Sequence, residues 1–118
     1  MKSIYESMIE YIDEHGIINL RTEPYEENRA CCMLGVLSLV TGSEDPYEVD
    51  ELEVPELIDL SREGLFEEYG PDSVWTEHHK DGYQMIYGYN DAIINGDKEK
   101  AIAVLEKAEA IRKANESV

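Results

Sequence analysis

The stretch Ala30-Cys31-Cys32-Met33-Leu34-Gly35-Val36-Leu37-Ser38-Leu39-Val40 decides the fold. It shows neither the alternation of a half-buried strand nor the single stripe of a surface helix, being apolar on nearly every face. Helices with that pattern are buried ones. Asn28 stands where a side chain could cap the start, and Gly42 where a helix stops. A central helix over about 29–41 is therefore expected. Gly35 in its interior costs about 1 kcal/mol against alanine, so a second helix should cross closely there, most naturally the one carrying Leu105.

Upstream, Ile4, Tyr5, Met8, Ile9, Tyr11 and Ile12 recur at helical spacing between acids, and Gly16 follows, which predicts a helix over 2–15. Ile17 to Thr22 reads as a connection broken by Pro24 and Glu26-Glu27-Asn28. Downstream, Pro55 suits a first helical turn. Leu57, Ile58, Leu60, Leu65, Phe66 and Tyr69 form the stripe that runs to Gly70-Pro71. Tyr83 to Tyr89 fits helix or strand, with helix preferred. Asp97 can cap a last helix through about Asn115, striped by Ala101, Val104, Leu105, Ala108 and Ile111. The expected fold is all-α: a compact single-domain bundle of four to five helices spanning 1–118 around the central one, with the last few residues frayed.

Charge is the second strong signal. The 118 residues carry 27 acids and 10 bases, a formal net charge of −17. The segment Glu44 to Glu77 holds 13 of the acids against Arg62 alone, while 98–118 is slightly basic with 4 acids and 5 bases. Phosphate contact needs clustered Lys and Arg, so direct binding to nucleic acid is opposed. No apolar run reaches the roughly 20 residues of a membrane span, and Met1 to Glu10 carries acids within its apolar pattern, unlike a secretory leader. A soluble, cytoplasmic protein is expected. Adjacent Cys31 and Cys32 read as free buried thiols, in keeping with a reducing compartment.

No catalytic motif stands out. Neither Cys31-Cys32 nor His78-His79 has the spacing of a metal-ligand pair, and a calcium loop begun at Asp91 fails at Ile93 and Ile102, so no metal and no cofactor is expected. Phosphate-loop, dinucleotide and nucleophile-elbow motifs are absent. A small hydrolase or transferase using Cys31 or Cys32 with His78 or His79 is the enzymatic alternative. Trp75, Tyr83, Tyr87 and Tyr89 read as core filling, with an interface patch as the other use.

Cys32-Met33-Leu34-Gly35-Val36-Leu37, then Tyr89-Asn90-Asp91, then the helix Ala101 to Ala108 form a recurring pattern. It resembles a group of small bacterial and phage proteins that share Cys-x-x-Gly-Ala-Leu in an early helix and Trp-Asn-Asp before the last. Here Tyr89 stands where that group has tryptophan. The resemblance implies a compact helical domain without an assigned activity, with Cys32, Gly35, Asn90 and Asp91 as architectural signature positions. The composition also resembles phage proteins that imitate DNA charge to block host defence or nucleic-acid-binding proteins. A binding face made by Glu48, Asp50, Glu51, Glu53, Glu56, Asp59, Glu63 and Glu67, meeting a basic protein surface, is thus the expected functional element.

Overall fold

A helix begins where its first N–H groups find acceptors, and the five α-helices among the described residues find them in two different ways. The computed structural model describes residues 2–19, 29–45, 48–71, 73, 76 and 81–116. Helix α1 (Ile4–His15) is capped locally: the Ser3 hydroxyl accepts from the Glu6 amide, and the Glu6 carboxylate accepts from the Ser3 amide, each at 3.1 Å. Gly16, at φ 82°, closes its other end by donating to the Ile12 carbonyl.

Helix α2 (Met33–Thr41) has no local side-chain cap, because Cys32 occupies the capping position. The acceptor comes from 57 residues away, where Asn90 Oδ1 takes the Met33 N–H at 3.0 Å. Helix α3 (Pro55–Tyr69) follows the same rule: Val54 offers no cap, and the Tyr5 hydroxyl of α1 accepts from the Leu57 amide at 3.1 Å. Helix α4 (Gly82–Tyr89) returns to a local cap, with Asp81 accepting from the Gln84 amide at 2.8 Å. It runs directly into one π turn, Asn90–Ile94, closed by the Asn95 amide on the Asn90 carbonyl. Helix α5 (Lys98–Glu116) starts at Asp97, whose carboxylate accepts from the Glu99 and Lys100 amides.

The architecture is all-α, as the patterns predict. Helix α1 lies along α5 and α3 along α4, α3 also meets α5, and α2 packs against α1 and α4. The radius of gyration, 13.4 Å, matches the roughly 13.5 Å of a compact chain of this length. Every residue from Met33 to Ser38 is buried, and around them lie Met8, Ile12, Leu57, Ile86, Ile94 and Leu105. Each such fully buried side chain contributes about 1.5–3 kcal/mol over its exposed state. No helix among the described residues is long and apolar enough to cross a membrane.

Four expectations need correction. The central helix starts at Met33, not near 29: Arg29 lies at φ 64°, Cys31 forms a parallel bridge with Ile17, and Cys32 is extended. Apolar patterning cannot tell a helix from a buried extended lead-in, whereas backbone pairing with Ile17 can. The helices packed most closely on α2 are α1 and α4, so buried Gly35 does not mark a close crossing with Leu105 of α5. Ile111 is 36% exposed, past Ala108 and Glu109, the last buried positions of α5. Phe66 and Tyr69 are also exposed, at the end of α3. Asn28, the expected start cap, lies outside the described residues.

Candidate functional site

The acidic face begins at the turn 48–54, whose shape follows from which side chains are tied. Val49 and Val54 are buried and anchor its two ends. Between them Asp50 caps the short 3-10 helix Glu51–Glu53 by accepting from the Leu52 amide at 2.9 Å. Glu51 turns inward and accepts from the Gly82 amide at 2.8 Å, adding a long-range cap to α4. The Tyr83 hydroxyl donates to the Val49 carbonyl. What is left pointing outward is Glu48, Glu53 and Leu52, and Leu52 is 83% exposed.

Along α3 the remaining acids divide. Glu56 is half-buried and accepts from the Tyr5 hydroxyl at 2.8 Å. Burial, reinforced by that carboxylate, pushes the Tyr5 phenol far above its ordinary range, so it stays a donor to Glu56 at all working pH values. Asp59 is exposed and lies 3.5 Å from Arg62, one turn on. Glu63 and Glu67 border a groove of about 300 Å³ between α3 and α5, with Lys100 and Lys107 on its other side and Leu60, Gly64, Tyr89 and Val104 between them. The eight expected face residues therefore do not form one uniform set. Glu48, Glu53 and Asp59 are outward carboxylates, Asp50, Glu51 and Glu56 hold the backbone or Tyr5, and Glu63 and Glu67 look toward lysines.

Cys32, Gly35, Asn90 and Asp91 lie closer together than their spacing suggests. Asn90 is 1% exposed; besides capping α2 through Oδ1, its Nδ2 donates to the Ile18 carbonyl at 3.1 Å and to Asp91 Oδ1 at 3.0 Å. It thereby fastens the extended segment at Ile17-Ile18, α2 and the π turn together. Cys32 abuts this node, and its thiol is pushed up by burial, with Asp91 adding to the shift. Gly35 sits one turn further on, where its carbonyl accepts from the Ser38 hydroxyl.

Both cysteines are free and fully buried. Burial, reinforced by Cys32, pushes the Cys31 thiol up to about 12, so the thiolate a nucleophile needs is absent at neutral pH. His78, His79 and Trp75 lie outside the described residues. Tyr83, Tyr87 and Tyr89 are part-buried against the core, as expected of core-filling rings. Among the described residues no three His, Cys, Asp or Glu side chains are grouped to hold a metal ion.

Sequence reasoning read Tyr5 only as part of a helical stripe and passed over Leu52 and Gly64. A Cβ on Gly64 would stand 2.5 Å from Tyr89 Cε2, so the glycine is what lets that ring lie on α3. A glycine inside a helical pattern was the available signal, the same one that singles out Gly35. No family model, no curated protein and no solved structure matches the chain.

Proposed function

We propose that this protein is a non-enzymatic binding module whose acidic face docks onto a basic surface of another protein. One observation carries the reading: Leu52 is held 83% exposed, on a turn fixed by Asp50, Glu51, Val49 and Val54, among the outward carboxylates of Glu48 and Glu53. A rigid apolar tip inside an acidic collar suits an apolar socket rimmed by Lys and Arg. The collar speeds encounter by steering, and the preorganised tip loses little entropy on docking. The finer form of the proposal is imitation of DNA charge, in which carboxylates occupy a cleft built for phosphates in a host nucleic-acid-binding or defence protein. The resemblance to small bacterial and phage proteins and the free thiols are compatible with action in a bacterial or phage-infected cytoplasm. The cysteine–histidine enzyme is the weaker reading, since both thiols are buried and protonated.

The test is differential capture from lysate on the immobilised protein, with Glu48→Gln/Glu53→Gln/Asp59→Asn and Leu52→Ala as comparisons. A partner should be released by moderate salt, lost with the triple variant and weakened with Leu52→Ala. Displacement by duplex DNA separates charge imitation from other basic partners. Identical capture by the parent and both variants removes the acidic-face reading.

A further inference from the structure

We infer that the groove between α3 and α5 is a binding site for a small zwitterion with an apolar group, the size of an apolar amino acid or a dipeptide. The open groove offers about 300 Å³, at the low end of the range for small-molecule sites, and lies between helices of a bundle where such sites form. A partner helix, about 10 Å across, is too large for it. Its base is apolar, made by Leu60, Val104 and the Tyr89 ring.

Two features distinguish it from a furrow between packed helices. The first is Gly64. A glycine in mid-helix costs about 1 kcal/mol, and here a Cβ would meet Tyr89 Cε2 at 2.5 Å and Cδ2 at 3.1 Å. Any larger residue would force the ring, which lines the groove, to move. The glycine thus sets the groove's shape.

The second is the balance of charge. The chain has a net charge of −17 and only 10 basic residues, yet this groove sets Lys100 and Lys107 opposite Glu63 and Glu67. Among the described residues neither lysine closes an ion pair with either glutamate. A cationic ligand would meet the two lysines, and an anionic one the two glutamates plus the field of the whole chain. A ligand carrying both charges satisfies both walls, its ammonium toward α3 and its carboxylate toward α5, with its apolar group over Tyr89. This site is independent of the docking turn at Leu52, so either can fail alone.

Amide NMR titrations of the full chain with L-leucine and glycyl-L-leucine test the assignment, with N-acetyl-leucine amide as the uncharged control. The zwitterions should give saturable shifts at Gly64, Tyr89 and Val104, half-complete below about 10 mM, with the control about tenfold weaker or worse. Lys100→Gln/Lys107→Gln and Glu63→Gln/Glu67→Gln change only exposed side chains, and each pair should weaken binding about tenfold. Gly64→Ala should abolish it by moving the ring, and the two charge pairs carry the test if that variant does not fold. No saturable shift with either zwitterion, equal binding of the control, or indifference to both charge pairs overturns the assignment. So does a response confined to basic or acidic helical peptides.

Discussion

Replacing Asn90 with leucine keeps the branched shape, in a somewhat larger side chain, but removes every hydrogen bond the asparagine side chain makes. Oδ1 is the acceptor for the Met33 amide, and Nδ2 serves the Ile18 carbonyl and Asp91 Oδ1. Met33 is 1% exposed, so its N–H loses its partner where water does not reach, a cost of about 1–3 kcal/mol. Ile18 is half-buried, and its carbonyl recovers part of its loss by hydration. The sum is about 2–4 kcal/mol, above the roughly 0.5–2 kcal/mol of an ordinary N-cap and a large part of a small domain's stability. It corresponds to a fall in Tm of roughly 8–16 °C for a chain of this size. Asn90→Ala should lose less, because the space it leaves is polar enough to admit a water.

Asn90→Asp provides the sharper control. It keeps the acceptor for Met33 but loses the donor and sets a second buried carboxyl beside Asp91, which raises its pKa on folding. A raised folded pKa contributes stability below the unfolded value, near 4, that is lost as pH rises. This variant should therefore be closest to the parent in acid and furthest from it at neutral pH. Urea unfolding followed by far-UV circular dichroism measures all three variants, with an unchanged slope confirming the same cooperative transition. The reasoning is refuted if Asn90→Leu falls within about 1 kcal/mol of the parent, because the smallest cost of one orphaned buried N–H is already that large.

Cys31 and Cys32 should resist iodoacetamide in the folded protein and react in urea; alkylation of either at the rate of a free thiol without loss of structure would contradict their burial. Because the folded Cys31 thiol is pushed from 9.0 to about 12, stability should be intact below about pH 9 and decline between pH 9 and 12 as the unfolded chain ionises first. Gly64→Ala gains nearly 1 kcal/mol in helix propensity but overpacks Tyr89 by about 1–3 kcal/mol, a net destabilisation that Tyr89→Leu should relieve in a double-mutant cycle. Glu51→Ala removes the second cap of α4 and should cost about 0.5–2 kcal/mol by thermal unfolding, against almost nothing for exposed Glu53→Ala.

Several helix ends were legible because a local residue marks them. Asp97, Gly16, Gly42 and Gly70 mark ends within one or two residues of those observed, and Pro55 opens α3 as its position suggests. The start of α2 was not legible, because what fixes it is Asn90, far along the chain, together with a bridge to Ile17. The π turn was hidden too, since nothing in Asn90–Ile94 distinguishes i+5 from i+4 bonding. On the acidic face, charge could be counted but not assigned. Whether a glutamate faces water, an amide or a lysine depends on tertiary packing, so Glu51 and Glu56 looked the same as Glu53. Leu52 escaped notice because a single leucine among acids reads as part of a helical or loop pattern until its surroundings are known.

The long-range cap on α2 also bears on the order in which the chain can be completed. A nine-residue helix is too short to hold itself together in water, and this one lacks a local acceptor for its first amides. During synthesis the apolar segment Met33–Val40 leaves the ribosome 57 residues before its acceptor does. At about 5–20 residues per second that interval is roughly 3–11 s. At the start of that interval the most water-averse part of the chain has only the neighbouring α1 to shelter it. The many carboxylates of the intervening segment, 13 between Glu44 and Glu77, emerge during the same interval. Mutual repulsion among them keeps nascent copies apart, so the charge proposed above to form a docking face also guards the unfinished core.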